Sequence, residues 1–336
     1  MNPKATTDTG TSAAAGTSAA ARDSAAARAA IPPAAAAGTW RLGDHTVNRL
    51  GFGAMRLASR AALRPDLPSR DRDQAIRVLR SAVALGVNHI DTAAFYFSPL
   101  RSANELINTA LAPYPDELLI VTKVGPGRDP GGTWLPWARP DQLRGQVEEN
   151  LRQLGRDHLD VVNLRVNGET EIAEHFGALA DLREAGLIRH LGLSNVGPDH
   201  LAQVASIAPV VCVQNRYGLA DRGPAREEMV RLCGERGIAF VPFFAIAGEG
   251  REGGAGPERD GTPREIAEAH GATPAQVRLA WTLQQGPHVL AIPGTGDPAH
   301  LAENVAAAAL RLSAEELARL APPSPPAAHP PTSPAA

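Results

Sequence analysis

Between residues 39 and 320, short apolar runs alternate with segments whose apolar residues recur at helical spacing. The runs at 49–53, 87–91, 118–123, 159–164, 190–194, 209–214, 238–242 and 289–293 predict strands, being too short for buried helices. Segments 73–85, 102–111, 140–154, 171–184, 198–207, 225–236, 264–284 and 298–310 carry the helical period. Strict alternation implies parallel pairing through right-handed crossovers, and the near-continuous apolar runs imply strands covered on both faces. The rival is an open doubly wound sheet. No Gly-x-Gly-x-x-Gly follows the first run, where Gly51-Phe52-Gly53 leads instead into a long loop. Eight strands with polar residues at nearly every C-terminal end predict an α/β chain folded as a closed (β/α)8 TIM barrel, its site at that rim. Residues 39–47, with Gly43-Asp44 between alternating positions, predict a hairpin that plugs the opposite end.

Composition trims this picture. The chain has 336 residues, and a barrel uses ~250, so one domain with tails is expected. The tails are residues 1–38, rich in Ala, Ser and Gly, and residues 321–336, rich in Pro; both are expected to be disordered or flexible. The first tail has few acids and some arginines, so a transit peptide is its alternative reading; it has no apolar centre of a secretory signal. No run is long enough for a membrane helix. A net charge of −3 with mixed signs gives no basic stripe for nucleic acid. Two cysteines, Cys212 and Cys233, without a CxxC, suit a reducing cytoplasm, and the ten histidines show no metal-ligand spacing.

The chemistry sits at strand ends. The second strand delivers Asp91, with Tyr96 five residues later, and the third ends on Lys123. A phenol titrates near ~10, and a neighbouring ammonium lowers that value toward the working range of a proton donor. The carboxylate holds the lysine in place. Each residue alone reads equally well as a salt bridge or a surface tyrosine; the set at successive strand ends points to a carbonyl reductase. Read in order, the rim continues with Gly53-Ala54-Met55, Arg165, Ser194-Asn195, Gln214, Phe243-Phe244 and Gly294-Thr295.

This sequence resembles the aldo-keto reductases over residues 40–312. The matching motifs are Leu50 to Met55, Asp91-Thr92-Ala93 with Tyr96, Val121 to Lys123, Gly192 to Asn195, Val213 to Asn215, and Ile292 to Thr295 with Glu303-Asn304. The resemblance implies NADPH, with NADH as the alternative, lying extended across the rim. By it, Ser194, Asn195 and Gln214 hydrogen-bond the carboxamide, Phe243 stacks on the nicotinamide, and Ala54 and Met55 touch its ribose. Gly53, Gly294, Thr295, His300, Glu303 and Asn304 fall at further cofactor positions. Hydride then passes to a small-molecule carbonyl while Tyr96 protonates its oxygen, tuned by Lys123 and Asp91.

Two departures stand out. The family's catalytic histidine position, five places after Asp160, holds Arg165, which cannot exchange a proton at neutral pH. It is left to donate hydrogen bonds to the carbonyl oxygen, lower the pKa of Tyr96, pair with an anionic substrate group, or point into a salt bridge. The second departure concerns the 2′-phosphate, for which Gly294 and His300 replace the usual basic residues. The N–H groups at the helix start by Asp297-Pro298 offer it a seat, although Asp297 repels it. The runs 159–166, 241–244 and 86–92 resemble the subgroup that includes bacterial pyridoxal reductase, which implies reduction of pyridoxal to pyridoxine. A general aldehyde reductase is an alternative. So is a slow-turnover dinucleotide-binding sensor like the potassium-channel β-subunits of this fold. A barrel aldolase with Lys123 as a Schiff base leaves Ser194, Asn195 and Gln214 unexplained. Trp134 and Trp137 in loop 125–139 are expected to wall the substrate pocket, and the glycine-rich loop 245–261 to form a flap.

Overall fold

The computed structural model describes residues 33–58, 71–246 and 261–321. The expected tails at 1–32 and 322–336, and most of the expected flap, lie outside the described residues. An antiparallel hairpin comes first, β1 Thr39–Leu42 with β2 His45–Asn48. A parallel sheet then takes strands in chain order: β3 Phe52–Gly53, β4 His89–Asp91, β7 Leu119–Val124, β8 Leu159–Arg165, β9 Ile188–Ser194, β10 Val210–Gln214 and β11 Ala239–Phe240. The remaining pair, β5 Phe97–Ser98 and β6 Arg101–Ser102, forms a small hairpin after Tyr96 that the sequence pattern did not predict.

Residues 289–291 close the ring as the eighth staves of the barrel. Val289 bridges Phe240 on one side and Ala291 bridges Leu50 on the other, both parallel. Backbone bonds secure the seam, from Ala291 N to the Arg49 carbonyl and from Gly51 N to the Ala291 carbonyl, each 2.8 Å. The expected barrel therefore forms, with its first, seventh and eighth strands shorter than the apolar runs.

Helices α1 Arg72–Ala84, α2 Ala103–Leu111, α3 Leu143–Leu154, α4 Ala173–Glu184, α5 Pro198–Val204 and α6 Pro224–Glu235 follow successive strands. In α1, Asp71 caps the first turn by accepting from Gln74 N at 2.7 Å, and Ile76, Val78, Leu79 and Ala82 turn one stripe inward. The single helix expected over 264–284 is two, α7 Gly261–His270 and α8 Pro274–Leu283. Gly271 adopts a left-handed φ of 60°, and Thr273 starts a new capping box with Gln276 and Pro274 at the first helical position. Helices α9 Pro298–Ala306 and α10 Ala314–Leu320 complete the shell; the latter was not expected.

The core has two parts. The larger lies between strands and helices. The smaller fills the barrel, where Leu42 and Val47 of the hairpin meet Leu119, Val121, Val161, Cys212 and Leu290. The hairpin is thus the expected plug. Ala34–Ala37, placed in the tail by composition, instead form a 3-10 turn, with Ala34 N bonded to the Leu85 carbonyl at 2.9 Å. Ala34 and Ala37 are buried there, so the packed domain reaches back past residue 39.

Candidate active site

Strand alternation carries the barrel's interior up to its rim. Leu119 and Val121 face the interior, so Lys123 does too; Val161 sets the same parity for Asn163 and Arg165, and Cys212 for Gln214. Asp91 sits opposite Val121 in register, which brings it to the same level. Gly192 has no side chain because a Cβ there would run into the Asn163 and Cys212 side chains. Below the rim the interior is apolar; at the rim it becomes ionic.

Lys123 is 1% exposed, and its Nζ donates to both carboxylate oxygens of Asp91 at 2.7 Å and to the Thr92 carbonyl at 2.9 Å. All three ammonium donors are therefore directed. Nζ also lies 4.9 Å from the centre of the Tyr96 ring. Tyr96 is itself buried, and burial raises its pKa above the ordinary tyrosine value. Lys123 and Arg165 pull it down and Asp91 pushes it up. The ammonium thus acts in the expected direction, but desolvation outweighs both cations and the net shift is upward. The phenol is held in its protonated form, as a proton donor requires.

Above this group opens a cleft. Of the expected residues, Gly53, Met55, Asp91, Tyr96, Arg165, Gln214, Phe243 and Gly294 line it. Arg165 projects its guanidinium beside Phe243, 5.7 Å from the ring centre, a contact worth ~0.5–1 kcal/mol. Among the described residues its guanidinium has no hydrogen-bond or ion-pair partner. The lining also takes in Phe244, read from sequence as a rim residue, Ile246 from the start of the expected flap, and Phe95, which was not assigned from sequence. Phe95 packs edge-on against Tyr96 at 5.1 Å. Its place beside the tyrosine in the chain was the available signal. Trp137 does not wall the cleft; its indole donates to the Arg165 carbonyl at 2.8 Å from outside. Trp134 is also absent from the lining and stands behind Phe95 at 5.6 Å.

Two buried polar atoms are left without partners here, Ser194 Oγ and Gln214 Oε1. They stand on neighbouring strands in register, and Gln214 Nε2 is already bonded to Asp91 Oδ1 at 2.7 Å. An unpartnered hydroxyl and an amide oxygen match the acceptor and donors of a carboxamide. Asn195 is different. Its φ is 62°, it is exposed, and its Nδ2 donates to the Val166 carbonyl at 2.9 Å, which makes it a backbone brace. Ala54 is buried and is not part of the cleft lining.

The remaining predicted positions lie beyond the eighth strand. Thr295 Oγ1 accepts from Asp297 N at 3.0 Å, Asn304 is buried in α9, and Glu303 is half-buried beside it. His300 is exposed. The N–H groups expected to be open for a phosphate are not: Asp297 Oδ1 accepts from Ala299 N at 2.8 Å and His300 N at 3.4 Å. The cap that starts α9 occupies the anion seat.

Comparison with known proteins fits this geometry. The aldo/keto reductase family model matches residues 49–322. The chain is 47% identical to pyridoxine 4-dehydrogenase of Escherichia coli K12, an alignment covering 85% of this chain and 98% of that one. A crystal structure of a thermostable aldo-keto reductase with the inhibitor epalrestat aligns at a TM-score of 0.71 with 30% identity, covering 84% of this chain and 98% of that one. An aldo/keto reductase from Klebsiella pneumoniae, solved with NADP and acetate, aligns at 0.68 with 29% identity, covering 84% and 93%. The chain belongs to the aldo/keto reductase family.

Proposed function

We propose that this chain reduces pyridoxal to pyridoxine with NADPH, Tyr96 acting as the proton donor. The observation that carries the reading is Arg165, a guanidinium with no hydrogen-bond or ion-pair partner among the described residues, on the wall of the cleft that also holds Tyr96. Pyridoxal bears a phenolate oxygen ortho to its aldehyde, and a charge-assisted bond from Arg165 orients both oxygens at once. The name of the Escherichia coli relative supports the substrate, and the Klebsiella complex supports the cofactor.

A bound nicotinamide supplies the hydride. Ser194 Oγ and Gln214 Oε1, the two unpartnered atoms, would hold its carboxamide and so set which ring face meets the substrate. Phe243 offers a stacking surface worth ~0.5–1.5 kcal/mol. As the carbonyl oxygen gains charge, the Tyr96 hydroxyl donates its proton, while Arg165 holds the anionic ortho oxygen beside it. Lys123, whose ammonium lowers the Tyr96 pKa, then steadies the phenolate left on that ring. The buried free thiols of Cys212 and Cys233 support a reducing compartment such as the cytoplasm.

Arg165→Met tests the substrate. Loss of one charge-assisted hydrogen bond costs on the order of 1.5–3 kcal/mol, roughly ten- to a hundredfold in kcat/KM. The loss is expected with pyridoxal and much less with benzaldehyde, which lacks the ortho oxygen. Equal losses would assign the arginine to the transition-state oxygen alone.

His300→Arg tests the cofactor. Asp297 already occupies the helix N-terminus, so the 2′-phosphate lacks a strong partner and discrimination against NADH is expected to be modest and salt-sensitive. The arginine is expected to tighten NADPH binding and leave NADH unchanged, read by fluorescence titration. An unaltered NADPH affinity would place the phosphate elsewhere.

A further inference from the structure

A second cleft lies between loop 125–139 and α3. It shares Phe95 with the active cleft but contains neither Tyr96 nor Arg165. Arg128 forms part of its wall and is 9% exposed. Nε of Arg128 donates to the Gly132 carbonyl at 2.9 Å, and Nη1 to the carbonyls of Phe95 and Phe97 at 3.2 Å. Nη2 is buried with no partner.

The other charges around the cleft are matched. Lys123 is committed to Asp91 and Thr92, Arg139 to Asp141, and Glu149 to Arg152. Asp129, beside Arg128 in the chain, uses its Oδ1 to accept from Thr133 N at 2.8 Å and makes no ion pair with Arg128. Among the described residues, no carboxylate lies within ion-pair distance of Arg128. A buried guanidinium with an idle N–H group is costly, and an anion that accepts from it recovers that cost. The surroundings are aromatic and apolar: the guanidinium lies 4.8 Å from the Phe97 ring and 5.8 Å from that of Trp134. Leu135, 51% exposed, stands at the cleft's edge.

We propose that this cleft is a second small-molecule site, which takes a planar aromatic carboxylate with its anion on Arg128 and its ring against Phe97 and Leu135. Lys123 forms part of the wall of this cleft, but its three donors are turned to Asp91 and Thr92, and the site does not depend on which aldehyde is reduced in the first cleft. Its ligand need not be a substrate.

Calorimetric titration of the NADPH complex with benzoate, and with benzamide as its uncharged counterpart, tests this. Benzoate is expected to bind about tenfold tighter or more, the worth of one charge-assisted bond. Arg128→Gln is expected to remove that difference. Because Arg128 also braces three carbonyls, its loss risks unfolding the loop, so Gly145→Phe provides a second variant. Gly145 lines the cleft on α3, and a Cβ there meets nothing within 4 Å, so the added ring enters the cleft without forcing the helix. Gly145→Phe is expected to weaken benzoate binding at least tenfold while pyridoxal reduction continues, and Arg165→Met to leave benzoate binding intact. Several results would overturn the proposal: no benzoate binding, equal binding of benzamide, binding unaffected by Gly145→Phe, or loss in Arg165→Met alone, which would put the carboxylate in the active cleft.

Discussion

Tyr96→Phe is expected to lower kcat for aldehyde reduction by ~10²–10⁴-fold, the usual worth of a positioned general acid. The substitution removes one oxygen and keeps the ring that packs on Phe95 at 5.1 Å, so the cleft should retain its shape. NADPH affinity is expected to stay within experimental scatter of the parent. The pH profile offers an independent reading of the same group. Burial raises the Tyr96 pKa, so the donor keeps its proton through neutral pH. Reduction is expected to fail only above the ordinary tyrosine range, as the phenol ionises. A Phe variant with full turnover, or an alkaline limb below that range, would remove Tyr96 from the role.

Lys123→Met carries the second large effect, and it falls on stability as well as rate. The ammonium is nearly inaccessible and supplies two of the hydrogen bonds on Asp91, so its removal leaves a buried carboxylate facing only Gln214. Breaking one side of a buried pair typically costs about 3–5 kcal/mol. Denaturant unfolding should register that loss. Adding Asp91→Asn should recover much of it, because the stranded charge is then gone, yet the double variant should stay slow. The single variant should also move the alkaline limb upward, since Lys123 is the strongest influence lowering the Tyr96 pKa. Unchanged unfolding in Lys123→Met would mean that Asp91 gains water or another partner.

The residues that could be read from sequence were those fixed by strand parity. Lys123, Arg165 and Gln214 each continue an apolar alternation set deeper in the barrel, so the pattern that builds the core also aims them at the rim, while Asp91 is levelled with them by its register with Val121. The eighth strand was legible as an apolar run even though only a few bridges realise it. What escaped was set by local capping or by burial. The break between α7 and α8 was written in Gly271, Thr273 and Pro274, but a long apolar period across it obscured the signal. Asp297 was read as a repelling charge near open N–H groups; its side chain is instead the cap that fills them. Asn195 carries the family motif, yet its left-handed backbone and bond to Val166 give it a bracing role that spacing alone does not reveal. The direction of the Tyr96 shift required knowing how deeply the ring is buried. A list of neighbouring charges pointed the other way.

Arg165 connects these levels most closely. Its parity on β8 points it to the rim, the Trp137 indole bonded to its carbonyl fixes the backbone, and Phe243 flanks its guanidinium. Where a histidine would exchange protons, this side chain offers a fixed positive charge, and that favours a substrate with an anion beside its aldehyde. The most direct measurement is turnover of pyridoxal with NADPH, with cofactor oxidation followed by absorbance and the product identified by chromatography. The expected result is pyridoxine formed mole for mole with NADPH consumed, at a kcat/KM above that for benzaldehyde. NADPH that binds but is not consumed in the presence of pyridoxal would contradict the account and favour a protein that senses the dinucleotide without reducing the aldehyde.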